Sequence, residues 1–379
     1  MARTSTKPVE TAQSKKFAAL AKICATIQDK FGKESVNFLG NQKAEPMPRI
    51  PSGSVAIDRI TGGGYPLGRI IEIFGPASSG KTTGCYHAIA EAQKMFPDKF
   101  CAFVDSEYSF DAQYAEALGV NVSELVVAQP DSGTDAFAMV QALVENGASL
   151  VVVDSVAAML PREEAEEEDY GKSSVGTQAR MMSKGLRKLT AIVGKHKCVI
   201  LFTNQVRDKI GVMYGDPSVT AGGKALLYYA SIRLKFTRIG KVEEKNANEK
   251  LATAIETKVE TVKNKTFAPF KTATIQIAFG KGIDNDAGIL DTALDKGVVV
   301  RRGGNYYYND QKVALGLPAL KEYLENNPSV FEEIKAKVKD VLENEKQEQT
   351  TDDGAEPDMS DDEIANAIES DETTEVGEV

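Results

Sequence analysis

The chain has 379 residues, 42% of them hydrophobic, with 55 acidic against 45 basic residues and a net charge of −10. That length allows one large core and one or two small modules. No apolar run approaches the roughly 20 residues of a membrane span, Met1–Pro8 lacks the apolar stretch of a secretory signal, and His87, His196 and the scattered Cys24, Cys85, Cys101 and Cys198 form no zinc pattern. The cysteines sit in apolar sequence, which fits core packing in a reducing cytoplasm.

Residues 14–31 place Phe17, Leu20, Cys24, Ile27 and Phe31 at helical spacing, with Gly32 as a stop. The single apolar face of this helix needs a partner in its own core or on another subunit. Residues 42–53 carry Pro46, Pro48 and Pro51 and read as an extended linker, so the first helix is expected to be separable from the body.

Ile70-Ile71-Glu72-Ile73-Phe74 reads as a buried strand. It runs into Gly75-Pro76-Ala77-Ser78-Ser79-Gly80-Lys81-Thr82-Thr83, which fits G-x-x-x-x-G-K-[ST], and Cys85–Lys94 can then be helical. A loop of this kind between strand and helix turns backbone N–H groups toward phosphate oxygens. Lys81 brings charge to the β- and γ-phosphates, Thr82 offers a hydroxyl to Mg²⁺, and the helix start adds its positive end.

Further strands are predicted at Phe100–Asp105, Leu125–Ala128, Leu150–Asp154 and Val199–Thr203, with helices at Asp111–Leu118 and Thr134–Glu145 between them. Continuous apolar strands alternating with helices indicate an α/β fold with a mostly parallel sheet covered on both faces. Asp154 ends one strand and is placed for Mg²⁺, through water; Glu107, just past another, is placed to activate a water for nucleoside triphosphate hydrolysis. A third strand ends in Thr203-Asn204-Gln205, where an amide can feel the γ-phosphate.

Two irregular stretches follow these strand ends. Pro161–Gly176 holds Glu163, Glu164, Glu166, Glu167, Glu168 and Asp169, then Lys172; so many acids would face away from nucleic acid or act as a gate. Arg207–Lys224 holds four glycines, the cations Arg207, Lys209 and Lys224, and the apolar Ile210 and Val212. That mixture suits a loop that grips phosphates and wedges between bases. Between them Arg180, Lys184, Arg187 and Lys188 recur on one helical face as a basic stripe, either solvated or touching phosphates.

Ile232–Phe236, Glu256–Val262 and Thr272–Phe279 read as antiparallel or edge strands. After Gly280-Lys281-Gly282 a small α+β domain is expected, with a Tyr-rich hairpin at Tyr306-Tyr307-Tyr308 and a helix near Val330–Leu342. Residues 351–379 hold twelve acids and no Lys or Arg, and read as a disordered acidic tail. Within it Ser360–Ile368 has a capping-box start, the mark of a short helix that forms on a partner.

Taken together, GPASSGKTT, CAFVDSEYSFD, VVVDSVAAMLP, QARMMSKGLRKL, TNQVRDKIGVMYG, TAGGKAL and VKNKTFAPF resemble the RecA recombinase family over roughly residues 14–345. The likeness is nearer to bacterial RecA than to the UvsX type of phage recombinase; a bacterial cytoplasm is implied, with a phage-encoded copy also fitting. The resemblance implies a RecA-type ATPase core at 42–280, an N-terminal polymerisation helix and linker at 1–41, a C-terminal domain at 281–345 and the tail at 346–379. It implies ATP on Gly75–Thr83, adenine contacts from Asp111 and Tyr114, Mg²⁺ at Thr82 and Asp154, water activation by Glu107 and γ-phosphate sensing by Gln205. Lys263 and Lys265 would reach the ATP of a neighbouring subunit.

For DNA, the resemblance implies single-strand contacts from Arg180, Arg187, Arg207, Ile210, Gly222, Gly223 and Lys224, and duplex capture by Arg301 and Arg302. The implied function is DNA-dependent ATP hydrolysis by a helical filament on single-stranded DNA that pairs it with homologous duplex and exchanges strands. A LexA-like repressor and single-strand-binding or mediator proteins are candidate partners, and no membrane is. Lys224, Leu227 and Tyr228 depart from the family's usual amide, lysine and phenylalanine. The alternatives are a regulatory scaffold for repressor self-cleavage and a ring-shaped helicase; the Lys263-Asn264-Lys265 pair and the separable first helix argue against the ring.

Overall fold

The computed structural model describes residues 12–33, 35–36, 47–167, 176–208, 218–246 and 249–349. The acidic tail with Ser360–Ile368, the centre of the acidic loop at 168–175 and the segment 209–217 with Ile210 lie outside them, as does the side chain of Arg207. The chain divides into two compact units, Met1–Met47 and Pro48–Val379.

In the first unit, helix α1 (Ala12–Phe31) forms where the apolar spacing predicts it. Of its predicted apolar face, Leu20, Cys24 and Ile27 are half-buried while Phe17 and Phe31 are exposed, as is Ile23 beside that face.

The second unit begins on residues expected to be a free linker. Instead β1 (Arg49–Ile50) enters the core, with Ile50 and Ser52 wholly buried. The Arg49 guanidinium donates to the carbonyls of Thr61, Gly64 and Thr266 at 3.1, 3.2 and 2.7 Å, and burial lowers its pKa to about 10. Short α2 (Val55–Thr61) follows, capped by Ser54, and β2 (Tyr65–Pro66) pairs with β1.

The large sheet is built in alternation from β3 (Ile70–Gly75), α3 (Lys81–Met95), β4 (Cys101–Asp105), α4 (Ala112–Ala117), β5 (Leu125–Ala128), α5 (Gly133–Glu145) and β6 (Leu150–Asp154). It continues through α6 (Arg162–Ala165), α7 (Thr177–His196), β7 (Val199–Asp208), β8 (Ser218–Thr220), α8 (Ala225–Tyr229) and β9 (Ile232–Asn246). Three antiparallel additions complete it: β10 (Glu249–Asn264), β11 (Thr272–Ala278) and β12 (Gly282–Ile283). The strand order is β12-β11-β10-β9-β3-β7-β6-β4-β5, with β8 hydrogen-bonded to β7. Strands β9, β3, β7, β6, β4 and β5 run parallel.

Each face of the sheet buries its own core. Ile71, Ile73, Phe103, Val152 and Leu201 face α2 and α3. Ile70, Val104, Val151, Val153 and Phe202 face α5, α7 and α8. Cys101 and Cys198 are packed within these layers, and burial raises their thiols to about 11 and about 12, so both stay protonated.

Two further expectations are corrected. β5, expected to be covered on both faces, is an edge strand with Val126 and Val127 each 41% exposed. β9 and β10 run far beyond their apolar stretches as a long hairpin. The extension shows no apolar pattern because Ile239 and Leu251 there are themselves in solvent.

The C-terminal module pairs β13 (Val300–Arg302), β14 (Asn305–Tyr308) and β15 (Gln311–Leu315) in one antiparallel sheet, flanked by α9 (Asn285–Asp295), α10 (Leu317–Asn326) and α11 (Pro328–Gln349). The Tyr-rich hairpin faces inward at alternate positions: Tyr306 and Tyr308 are buried with Leu320, Ile334 and Val338. Arg301 and Arg302 are exposed on β13.

Candidate functional site

The C-terminal ends of β3, β4, β6 and β7 meet along one edge of the sheet and bring the predicted site residues together. The phosphate loop leaves β3 at Gly75, and α3 starts from Gly80, whose φ of 92° lies in the left-handed region. A Cβ at Gly75 would overlap the carbonyl oxygen of Phe236, so only glycine lets the loop leave so close to β9. Ser79 is fully buried and its hydroxyl donates to Pro76 O at 2.9 Å, closing the turn; the Ser79 carbonyl accepts from Thr257 on β10 at 3.1 Å.

Lys81 curls back over this loop, donating to Gly75 O at 3.2 Å and Pro76 O at 2.9 Å. Burial lowers its pKa, while the nearby Asp154 and Glu107 carboxylates pull it back up. Thr82 donates to Asp154 Oδ2 at 2.6 Å and Thr203 donates to Asp154 Oδ1 at 2.5 Å. Asp154 is almost wholly buried, and burial raises its pKa against the effect of these two hydroxyls. A buried carboxylate beside a hydroxyl is a hard oxygen set that suits Mg²⁺, which takes few protein ligands and completes its shell with water and phosphate.

Glu107 stands next to this pair. Its Oε1 accepts from Gln205 Nε2 at 3.0 Å and also from the Ser155 hydroxyl. Asp105, just before it, is fully buried and accepts from the backbone N–H groups of Ser109 and Phe110 and from Gln129, which fixes the turn that carries Glu107. Asp111 caps α4 by accepting from Tyr114 N at 3.0 Å. The Tyr114 hydroxyl lies 3.1 Å from Thr83 Oγ1, which sets one of the two predicted adenine contacts against the last residue of the phosphate loop.

Lys263 and Lys265 do not join this edge in their own chain. Thr257 touches the phosphate loop, and Lys263 lies six residues further along β10, about 20 Å away at strand rise. Lys263 donates instead to the carbonyls of Leu227 and Tyr228 at 2.7 and 2.9 Å, at the opposite edge of the sheet.

Among the predicted DNA residues, Gly222, Gly223 and Lys224 follow Ala221, whose N–H donates to Gln205 O, and Arg180 follows Ala179, which packs on Gly223. β7 continues past Thr203 to Asp208, and β8 returns antiparallel to it, pairing Val206 with Thr220 and Arg207 with Val219. The ribbon ends at Gly222 and Gly223, with φ of 82° and 71°, which pack on Val156, Met182 and Ala179. Lys224 then caps α8. Ala179 begins the exposed stripe of α7 formed by Arg180, Lys184, Arg187 and Lys188. Gln178 donates to Val156 O and Met159 O at 3.1 and 2.9 Å, anchoring this helix start to the strand end at Asp154.

Sequence reasoning missed Thr203, Ser155 and Asp105 as partners of the site. Their only local signal is a position at or beside a strand end; what they touch is fixed by strand register.

The chain matches two family models, the RecA N-terminal domain over residues 18–284 and the RecA C-terminal domain over residues 287–343. It is 47% identical over 326 residues to Protein RecA of Marinobacter nauticus, covering 86% of this chain and 92% of the relative. It is 45% identical over 336 residues to Protein RecA of Thermotoga neapolitana, covering 86% and 94%. Against the chromosomal Protein RecA of Lactococcus lactis subsp. lactis it is 45% identical over 323 residues, covering 85% and 83%.

Proposed function

The chain belongs to the RecA family and is a DNA-dependent ATPase, and we propose that it polymerises on single-stranded DNA, pairs that strand with homologous duplex and exchanges strands. One observation carries this reading. The glutamine that would sense the γ-phosphate binds the carboxylate that would activate water, and the same glutamine sits where β7 leaves for the glycine-rich DNA segment.

In this reading Gly75–Thr83 wraps the triphosphate, and Lys81 exchanges its bonds to loop carbonyls for phosphate oxygens. Thr82 and Asp154 would hold Mg²⁺, which spreads the charge of the leaving phosphates. Glu107 orients and deprotonates the attacking water, with Ser155 fixing its angle. Asp111 and Tyr114 border the base. Arg180, Arg187, Arg207, Gly222, Gly223 and Lys224 supply backbone contacts to the strand, and Ile210 separates its bases.

The filament supplies the missing cations. Lys263 and Lys265 lie far from the phosphate loop of their own chain, which supports their acting on the ATP of an adjoining subunit as charge neutralisers. A heterologous contact whose rotation does not close on itself adds subunits indefinitely, which is the filament proposed here. The exposed Ile23 and Phe31 of α1, the edge strand β5 with Val126 and Val127 exposed, and Met139 of α5 are surfaces suited to subunit addition. The same filament is the form that would stimulate a LexA-like repressor to cleave itself.

The test is joint-molecule formation between circular single-stranded DNA and linear duplex. Homologous duplex should give joint molecules in the presence of ATP and Mg²⁺, and heterologous duplex should not. Equal products from both would remove homologous pairing from the account, and repressor cleavage without joint molecules would favour the scaffold.

A further inference from the structure

We propose that Glu72 is a positioning residue that couples the phosphate-loop strand to the DNA segment through Asn204. The inference rests on the reading above and names the side chains that carry its coupling.

Glu72 lies in the middle of β3, fully buried, on the sheet face covered by α5, α7 and α8. A bare carboxylate there would be costly, so its partners define its purpose. Arg233, its direct cross-strand neighbour on β9, donates to Oε2 at 2.5 Å and stacks its guanidinium over the Phe74 ring at 4.5 Å. The other oxygen, Oε1, accepts from Asn204 Nδ2 at 2.9 Å.

Buried ion pairs gain little stability over apolar residues of the same shape. What this pair provides is a fixed point for an amide. Asn204 is fully buried, and both its polar atoms are engaged. Its Nδ2 also donates to Ala221 O at 2.9 Å, and its Oδ1 accepts from Gln205 N at 2.9 Å. Ala221 N in turn reaches Gln205 O at 3.4 Å. Thr203 and Gln205 point to the opposite side, toward Asp154 and Glu107.

Asn204 therefore clamps both flanks of the DNA segment, the Gln205 end and the Ala221 end, to the strand that opens into the phosphate loop. When the Gln205 side chain is drawn toward a γ-phosphate, its backbone moves against an amide held in place by Glu72. The displacement then passes to Ala221 and on to Gly222 and Gly223, beside the basic stripe of α7. Without Glu72 the amide is free to reorient, and movement at Gln205 dissipates.

The experiment measures the affinity of the full chain for an oligothymidylate with no nucleotide and with a slowly hydrolysed ATP analogue plus Mg²⁺. The ratio of the two constants is the coupling factor. Glu72→Leu, which fills the site but removes the acceptor for Asn204 Nδ2, should leave nucleotide affinity and nucleotide-free DNA affinity within about twofold of wild type and reduce the coupling factor about tenfold. Arg233→Lys, which keeps a cation against Glu72, should retain most of the coupling. If Glu72→Leu fails to fold, Glu72→Leu/Arg233→Met removes the unbalanced buried charge and carries the same expectation. A variant whose affinities fall together while the ratio holds at the wild-type value would reduce Glu72 to a packing residue and overturn the assignment. A wild-type ratio of one would overturn the functional reading as well; a wild-type ratio preserved in the variant overturns the assignment to Glu72 alone.

Discussion

Gln205 Nε2 donates to Glu107 Oε1 at 3.0 Å across 98 positions of sequence. The bond joins the end of β7, where the proposed DNA segment begins, to the turn after β4, where the carboxylate proposed to activate water stands. Anything that reorients one of these side chains is felt by the other. Glu107→Gln keeps the size of the side chain and an acceptor for Gln205 and Ser155 but loses the base. ATP binding and filament assembly should persist, while hydrolysis should slow by about 10²- to 10⁴-fold. A steady-state ATPase assay beside electron microscopy of the variant checks both, and full turnover would assign the water to another group.

Lys81→Ala removes a cation that folds back onto the phosphate loop. Turnover should vanish and the thermal stabilisation by ATP analogue should be lost, both read from one preparation by ATPase assay and thermal shift.

Asp154 has a carboxyl raised mainly by burial, with the Thr203 and Thr82 hydroxyls opposing. Its folded-state pKa lies above the unfolded one, so the folded state holds a proton that the unfolded state releases. Stability of the nucleotide-free protein therefore falls as pH rises through the interval just above the ordinary carboxylate range. Asp154→Asn removes that cost. At about pH 7 its nucleotide-free Tm should match or exceed wild type by about 2–4 °C, while the Mg²⁺-dependent rise on adding ATP analogue should disappear. Thermal melts across pH, with and without Mg²⁺, measure both.

Lys263 and Glu107 should complement one another in trans. Lys263→Ala and Glu107→Gln are each expected to be nearly inactive alone. Mixed, they should regain partial ATPase, because some interfaces then combine an intact Glu107 with an intact Lys263 from the neighbour. No gain on mixing would place both residues in one subunit's chemistry.

The fragment 48–379 contains the whole of the larger unit. It should fold, bind ATP and stay monomeric by light scattering where the full chain assembles. Assembly of the fragment would relieve α1 of its proposed role.

The phosphate loop was legible because its cause is local: an apolar strand, glycines that permit tight turns and a helix start. Asp154 and Glu107 were legible as acids at or beside strand ends. The contacts that make them a site were not, since Thr203 meets Asp154, and Ser155 meets Glu107, only through the parallel register of β4, β6 and β7. Arg49 was hidden in a proline-rich stretch that reads as linker, because its bonds go to carbonyls as distant as Thr266. The Leu125–Ala128 run looks like any buried strand; only the strand order reveals it as an edge.

In the proposed function, nucleotide chemistry at the β3–β7 edge answers to DNA held by the segment beyond Gln205. ATP turnover by the purified full chain, with and without single-stranded oligonucleotide, tests it most directly. Turnover should be slow for the protein alone and accelerate greatly with the oligonucleotide. The same rate in both conditions would contradict it.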